Sequence, residues 1–176
     1  SNIAATELDN YFRKELIQGS VHDEGASTMG GIAGHAGLFS NATDIAKLYM
    51  MLLNGGQWDG QNYLKPSTIN LFTSYQSPTS RRGLGFDKPL IEYDSIKSSV
   101  AKAASPSSFG HSGYTGPLVW ADPDNKLLFI ILTNRVYPTR QNRKIYQLNV
   151  RPRIHNLVYD LLEKKKTDER TDTAII

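Results

Sequence analysis

Cysteine is absent from the 176 residues of this sequence. Disulfide frameworks, thiolate zinc sites and cysteine nucleophiles are therefore excluded. Long apolar runs are missing as well. The longest, from Leu127 to Leu132, has the length of a strand and is far below the roughly 20 residues of a membrane-spanning helix. The hydrophobic fraction of 39% allows one ordinary domain with its own core, and we expect no membrane span.

A concentrated patch of one charge is missing too. Lys and Arg total 20 against 17 Asp and Glu, and the lysines at 164–166 are followed at once by Asp168 and Glu169. The arginines are scattered along the chain without the interleaved aromatic residues of a nucleic-acid stacking platform. We therefore expect a solvated basic face and no nucleic-acid partner.

The beginning of the chain has the apolar spacing of a helix. Leu8, Tyr11, Phe12 and Leu16 form a stripe at helical intervals, with a glycine just after position 18 as a stop. We therefore expect a first helix over Thr6 to Gln18.

Two further helices are expected after a structured loop. Positions 21–37 contain five glycines and keep neither helical nor strand periodicity, which predicts the loop. A helix should begin after Ser40 or Asn41, whose side chains accept hydrogen bonds from first-turn N–H groups, and should end at Asn54-Gly55-Gly56. A shorter helix fits Pro66 to Thr73, with proline at its first position.

An irregular segment and a C-terminal helix frame the remainder of the chain. Positions 77–108 are polar and rich in serine, with a short strand expected at 84–86. A last helix is expected over 149–164, because its apolar residues share one face. We expect 167–176 to be a flexible tail.

Three strands are expected between these segments, over 109–113, 117–121 and 126–134. The turn Asp122-Pro123-Asp124-Asn125 should join the last two as an antiparallel hairpin. The pattern predicts the α+β (mixed α/β) class, with an antiparallel β-sheet flanked by helices.

The most informative segment for function runs from Phe109 to Gly116. It places one histidine and one serine, His111 and Ser112, between glycines on a strand. Glycine allows a ligand to approach the backbone closely, and a strand beside a substrate can offer N–H groups to a developing oxyanion. Taken alone, the segment favours a glycine-rich hairpin with an exposed histidine over a functional strand.

The neighbouring blocks extend this pattern into a family resemblance. The strand resembles the third signature of the β-lactamase-related serine hydrolases, which include class C β-lactamases, DD-peptidases (penicillin-binding proteins) and esterases. His111-Ser112-Gly113 matches the His-x-Gly form that replaces Lys-Thr-Gly in some members. Further blocks resemble the family in the same order, between Thr6 and Leu162: Val21 to Glu24, Gly30 to Ser40, Asp44 to Lys47, Trp120 to Pro123 and Leu132 to Arg135.

The resemblance implies roles for individual residues. His111 takes the place of the family's lysine, near the substrate carboxylate or the proton relay, and Ser112 donates to substrate. The backbone N–H of Tyr114 is then one oxyanion donor. Gly113, and Gly34 and His35 in the loop, are the expected substrate-binding residues: they complete the cleft wall. The family needs no cofactor and no metal.

The nucleophile expected for such a family is missing. In the family, Ser-x-x-Lys precedes all of these blocks, and a second signature, Tyr-x-Asn, follows it. No Tyr-x-Asn occurs, and the one Ser-x-x-Lys, Ser99 to Lys102, lies only nine residues before His111, which predicts a chance match. We therefore expect positions 1–166 to be the C-terminal portion of a serine β-lactamase-like domain, a partial β-lactamase/transpeptidase-like fold cut from a longer chain and inactive alone.

Two other histidine assignments follow from the sequence. His22, Asp23, Glu24 and His35 have the chemistry of metal ligands, but their spacing matches no compact motif, which favours a hydrogen-bond network beside the cleft. His155, on the last predicted helix, is expected at the surface.

The function expected for the parent protein is hydrolysis of an amide or ester, such as a cell-wall peptide, through an acyl-enzyme. The alternative is a non-catalytic β-lactamase-like binding module appended to a glycoside hydrolase. Thr133 to Arg140 is similar to the serine-hydrolase domain that some Bacteroidetes carry behind a family-three glycoside hydrolase (β-N-acetylhexosaminidase).

The location and the partners of the protein follow from the same reading. We expect an extracytoplasmic bacterial protein, periplasmic or secreted, whose signal lies outside this chain. Its partners are the substrate, the missing N-terminal half of the domain and, through an uncovered strand at 126–134, a second copy of itself.

Overall fold

The computed structural model describes residues 2–173, and the side chains of the last helix up to position 167. No helix in this part of the chain is both long enough and apolar enough to cross a membrane. In chain order the elements are β1 (Glu7–Asp9), β2 (Glu15–Ile17), α1 (Glu24–Thr28), α2 (Ala42–Leu53), β3 (Gln57–Trp58), β4 (Gln61–Asn62), α3 (Pro66–Thr73), β5 (Phe109–Ser112), β6 (Leu118–Asp122), β7 (Leu127–Ile131), α4 (Lys144–Gln147) and α5 (Val150–Thr173).

The main sheet contains three antiparallel strands in the order β5-β6-β7. Phe109 faces Ala121, and Trp120 faces Phe129 across the next pair. At the β6–β7 turn, the Asp122 carboxylate accepts the Asn125 N–H at 3.2 Å. The three predicted strands are confirmed to within a few residues at their ends, and so is the fold class, a mixed α/β arrangement of small antiparallel sheets and helices.

The central strand β6 is buried along its whole length and separates two parts of the core. Val119 and Ala121 pack with Tyr49 and Leu52 of α2 and with Ile69 of α3. Leu118 and Trp120 pack with Phe129, with Val100 of the irregular segment and with Val158 of α5. Because neighbouring residues of a strand point to opposite faces, α2 and α3 cover one face of the sheet and α5 covers the other.

The helices α2 and α3 lie where the sequence predicts them. Asn41 caps α2, its side-chain oxygen accepting the Asp44 N–H at 3.0 Å. Asn54 ends this helix, and Gly55 and Gly56 follow with positive φ. Pro66 begins α3 at the predicted residue. The local sequence was enough to place both helices, through a side-chain cap for α2 and a first-position proline for α3.

The predicted first helix, Thr6 to Gln18, is wrong: β1 and β2 form a hairpin there. The buried Asp9 carboxylate accepts the N–H groups of Tyr11 and Phe12, each at 2.9 Å, and of Arg13 at 3.0 Å, which turns the chain after β1. Leu8 and Leu16 pair across the strands and are both exposed. The apolar stripe therefore faces outward, the opposite of a helix packed on a core.

Smaller differences concern the loops and the C-terminal helix. The loop at 21–37 contains the short helix α1, which Asp23 caps by accepting the Ala26 N–H. Positions 84–86 are a bend with Gly85 at positive φ, not a strand. The helix α4 was not predicted, and α5 continues to Thr173, through part of the segment expected as a tail. Positions 174–176 of that expected tail lie outside the described residues.

The strand β7 is an outer strand of the main sheet within residues 2–173. Its residues are half-buried or buried, and Leu132 beyond its end is exposed. At the opposite edge, an isolated bridge between Asp87 and Gly110 lies beside β5. The predicted pairing of the β7 edge with another strand stays a prediction.

Candidate functional site

The end of β5 presents the predicted site residues on an accessible surface. His111 is exposed, and its Nδ1 lies 2.9 Å from the Ser112 carbonyl oxygen. Ser112 and Gly113 are half-buried, and the Tyr114 side chain is 59% exposed. His111 is therefore available to a ligand and is not a core residue.

Two glycines of this segment are required by close packing. A Cβ atom at Gly110 would collide with the Val119 carbonyl oxygen and would lie 2.8 Å from the Trp120 Cα. Gly116 has a φ of 135°, and a Cβ there would lie 2.7 Å from the Thr133 carbonyl oxygen. The glycines thus allow β5 and its following turn to lie directly against β6 and the end of β7.

The turn from Gly113 to Gly116 is held by its carbonyl groups. The Gly116 N–H donates to the Gly113 oxygen at 3.1 Å, and Arg151 donates to the oxygens of Gly113 (3.1 Å) and Gly116 (2.8 Å). Arg135 donates from its side chain to the Tyr114 oxygen and from its backbone to the Thr115 oxygen, both at 2.8 Å. Four successive carbonyl groups are therefore engaged, whereas the Tyr114 N–H has no acceptor among the described residues.

Behind the turn, five side chains stack in a column: His22, Tyr114, Arg135, Tyr146 and Arg151. The His22 and Tyr114 rings lie 5.6 Å apart, and the Arg135 guanidinium carbon lies 4.3 Å from the centre of the Tyr114 ring. The Tyr146 ring follows, with Arg135 at 5.1 Å and Arg151 at 5.3 Å. A cation–π contact adds about 0.5–2 kcal/mol depending on its exposure, and here the arginines are buried while the tyrosine rings are partly exposed. The column therefore stiffens the turn.

A buried ionic cluster supports the His22 end of this column. Glu7, only 2% exposed, accepts from His22 Nε2 at 2.7 Å and from Arg140 Nη2 at 2.7 Å. Arg140 also donates to Glu24 at 2.5 Å and so joins the first hairpin to α1. Burial alone would raise the pKa of Glu7, but the hydrogen bonds from Arg140 and His22 hold it below its usual value. Glu7 is therefore ionised and fixes His22 in place.

The loop residues Gly34 and His35 lie in a separate contact group. His35 Nε2 is 3.0 Å from the Asp23 carboxylate, and both side chains are largely exposed. The main-chain bridge of Ala33 with Ala36 closes the turn around them. Among the described residues, no hydrogen bond or ring contact joins Gly34 or His35 to β5, so their substrate-binding role stays a prediction.

The residues considered as metal ligands are engaged elsewhere. His22 contacts Glu7, Asp23 contacts His35, and Glu24 contacts Arg140. Among the side chains that the structure describes, up to position 167, no group of three or more His, Cys, Asp or Glu residues could hold a metal ion. These contacts form the predicted type of hydrogen-bond network.

The Ser-x-x-Lys match at Ser99 to Lys102 is not helical. Lys102 lies in a turn, where its N–H donates to the Asn156 side chain at 3.1 Å. A lysine one helical turn from the serine, as the family's nucleophile requires, is therefore missing at this position.

Sequence reasoning missed the arginines behind the turn, and it misplaced His155. Arg135 and Arg151 are 7% and 4% exposed. A turn that directs four carbonyl oxygens inward needs buried donors, but nothing local shows which arginines supply them. His155, expected at the surface, is fully buried between α5 and the sheet. That expectation is wrong because the ring of His155 stacks on Phe129 at 4.4 Å, a contact between elements.

The described residues form a mixed α/β fold in which the exposed end of β5 is backed by the buried arginines Arg135 and Arg151. A sequence profile of the Beta-lactamase family matches residues 4–151. The chain belongs to the Beta-lactamase family.

Curated relatives support this assignment over part of their length. The chain is 36% identical over 154 residues to a "Putative D-alanyl-D-alanine carboxypeptidase" of Salmonella enteritidis PT4 (strain P125109), covering 81% of this chain and 35% of that protein. It is also 36% identical over 144 residues to the Escherichia coli (strain K12) protein of the same name, covering 76% of this chain and 33% of that protein. The chain thus spans about a third of the length of the curated relatives it matches.

A solved structure shares the fold. A beta-lactamase from Mycobacterium bovis aligns with a TM-score of 0.55 at 21% identity, over 70% of this chain and 44% of that one. The likeness extends the fold assignment from the sheet to most of the described chain.

Proposed function

We propose that this chain supplies the third-signature strand and one cleft wall of a serine hydrolase that acts through an acyl-enzyme. The observation that carries the proposal is the unengaged Tyr114 N–H at the exposed end of β5, beside His111 and Ser112. The identity to proteins named as D-alanyl-D-alanine carboxypeptidases supports a peptide with a terminal carboxylate as the substrate.

In the proposed reaction, a serine outside this chain attacks the substrate carbonyl carbon and gives its proton to the lysine of Ser-x-x-Lys. The carbonyl electron pair moves onto oxygen, and the Tyr114 N–H donates a hydrogen bond to the resulting oxyanion. Collapse expels the amine or alcohol, which takes the proton, and water then cleaves the acyl-enzyme. His111 and Ser112 hold the substrate carboxylate.

The isolated chain is expected to be inactive. Loss of a single oxyanion donor costs ~10²–10³ in rate, and here the nucleophile and its base are missing as well. No acyl-enzyme can therefore form on this chain.

Labelling by a fluorescent penicillin and by a fluorophosphonate tests the proposal. We expect no labelling of the isolated chain and covalent labelling of the full-length protein that carries Ser-x-x-Lys. Labelling of the isolated chain would contradict its inactivity. An unlabelled full-length protein would contradict the hydrolase and favour the non-catalytic binding module.

Two further proposals concern the location of the parent protein and the domain that precedes this one. A cell-wall substrate places it outside the cytoplasmic membrane, periplasmic or secreted. The resemblance of Thr133 to Arg140 supports the second proposal, that a family-three glycoside hydrolase precedes this domain in the parent protein. The coding sequence upstream tests both at once, because it must contain an export signal, a glycosidase domain and a Ser-x-x-Lys motif in that order.

A further inference from the structure

The peptide group between Gly113 and Tyr114 contains the proposed oxyanion donor, the Tyr114 N–H, and its carbonyl oxygen accepts a hydrogen bond from Arg151. One end of this group is the Gly113 carbonyl and the other is the Tyr114 N–H. The bond is trans, so the two dipole ends point in opposite directions. The Gly113 oxygen receives Arg151 Nη2 at 3.1 Å and the Gly116 N–H at 3.1 Å. The Tyr114 N–H therefore points away from Arg151.

Arg151 forms hydrogen bonds to both ends of the turn from Gly113 to Gly116. It lies in the first turn of α5, and its Nε donates to the Gly116 oxygen at 2.8 Å while Nη2 reaches Gly113. A planar guanidinium holds its donors in a fixed fork, so the two bonds set the plane of the turn as well as its position. The ring of Tyr146 covers the guanidinium at 5.3 Å and restricts its rotation.

The charge of Arg151 is directed at the peptide rather than at a carboxylate. Among the described residues, no Asp or Glu forms a salt bridge with Arg151 or with the neighbouring Arg135. A hydrogen bond from a buried cation to a carbonyl polarises the peptide group and makes its N–H a better donor.

We propose that Arg151 is a positioning residue that orients and polarises the Gly113–Tyr114 peptide group so that its N–H can meet an oxyanion. Arg135 fixes the next peptide group in the same manner through the Tyr114 oxygen. This inference rests on the proposed function, because it concerns how the same site acts.

Acylation kinetics of the full-length protein with a penicillin probe test this role. Arg151→Met removes both donors at similar length, and we expect the acylation rate constant to fall ~100-fold, with the dissociation constant of the initial complex unchanged. Arg151→Lys keeps the charge but not the paired donors of the guanidinium group, and we expect its acylation rate constant to fall roughly 10-fold.

Two control variants separate positioning from general stability. Tyr159→Phe, on the same helix, removes the buried bond from the tyrosine hydroxyl to Asp122 and lowers Tm without touching the turn. Arg153→Ala removes an exposed arginine of α5. Both should acylate at the wild-type rate. A rate loss in Tyr159→Phe as large as that in Arg151→Met, or wild-type acylation of Arg151→Met, would overturn the proposal.

Hydrogen exchange gives a readout that does not need activity. In Arg151→Met, amides in peptides covering 112–117 should exchange at least several-fold faster, because the Gly113 and Gly116 N–H bonds depend on the fixed turn. Tyr159→Phe should leave this segment unchanged. If the wild-type protein is not labelled by the probe, the proposed function fails. Unchanged exchange in Arg151→Met contradicts the positioning role even then.

Discussion

A single buried histidine couples the packing of α5 to pH. The Nδ1 atom of His155 accepts the Ala101 N–H at 3.2 Å, and its Nε2 has no partner among the described residues. Burial lowers the pKa of His155 to about 4, and the negative charge of Asp122 offsets only part of this shift. Protonation would place a hydrogen on Nδ1 and break the bond to Ala101.

We expect the free energy of unfolding to fall between pH 6.5 and about pH 4 because of His155. The unfolded histidine binds a proton below its ordinary pKa of 6.5, whereas the folded one does so only near 4. The unfolded state therefore binds more protons in this window, and full protonation costs about 3 kcal/mol. Urea unfolding at a series of pH values measures this slope.

The variant His155→Asn isolates the effect, because its amide oxygen lies at the position of Nδ1, can accept the Ala101 N–H and does not titrate. The difference in unfolding free energy between the two proteins should change with pH only in this window. Asp9 contributes to the pH dependence of both proteins alike, and at lower pH, because backbone hydrogen bonds outweigh its burial and lower its pKa to about 2. Parallel curves for wild type and variant from pH 7 to 4 would show that His155 has no such role.

At the scale of the secondary structure elements, predictability from the sequence depended on whether the deciding contact was local. The Asn41 cap of α2, the proline at the start of α3 and the Asp122 turn lie within a few residues of the elements they shape. The first hairpin has a local part, the Asp9 turn, but its buried Glu7 in β1 depends on Arg140, which lies 133 residues further along the chain. A buried carboxylate is acceptable only with such a partner, which no local window shows.

The candidate site likewise has one part that the local sequence predicts and one part that it does not. The glycines, His111 and Ser112 are consecutive, so their place at an exposed strand end follows from the sequence. The column behind them gathers residues from four separate segments, including His22 and Arg151. Periodicity and motif spacing contain no information on that assembly, because each of its cations and rings is individually compatible with a surface position.

The strand β5 should tolerate no side chain at Gly110. Gly110→Ala would force its Cβ against the Val119 carbonyl oxygen and the Trp120 backbone, neither of which can rotate away. We expect a loss of about 2–4 kcal/mol in unfolding free energy, since overpacking that shifts backbone exceeds the usual 1–3 kcal/mol. Urea unfolding gives the value.

Gly85→Ala is the matched comparison for that substitution. Gly85 has positive φ, but nothing lies within 4 Å of its Cβ position, so the cost is limited to about 1 kcal/mol of backbone strain. Equal losses for the two variants would mean that the close approach of β5 to β6 is not what requires glycine at 110.

At the scale of the whole molecule, the main sheet is asymmetric in how its edges are covered. The bridge of Asp87 with Gly110 lies along β5, whereas β7 has β6 as its neighbour in the described sheet. An edge strand directs half of its N–H and C=O groups outward, and β7 consists only of Leu, Phe and Ile. An apolar edge strand of this kind can pair with another strand.

We therefore expect the isolated chain to self-associate through β7. In the proposed function the missing N-terminal half of the domain would cover this edge, so that proposal predicts a monomeric full-length protein. Light scattering coupled to size exclusion measures the masses of both. Leu132→Lys places a charge at the exposed end of the strand and should shift the isolated chain towards monomer. Leu157→Lys makes the same substitution at another exposed leucine, on α5 and away from β7, and should leave the mass of the isolated chain unchanged. A stable monomer of the isolated chain at high concentration would instead mean that β7 needs no neighbour beyond β6, and that the sheet is complete with three strands.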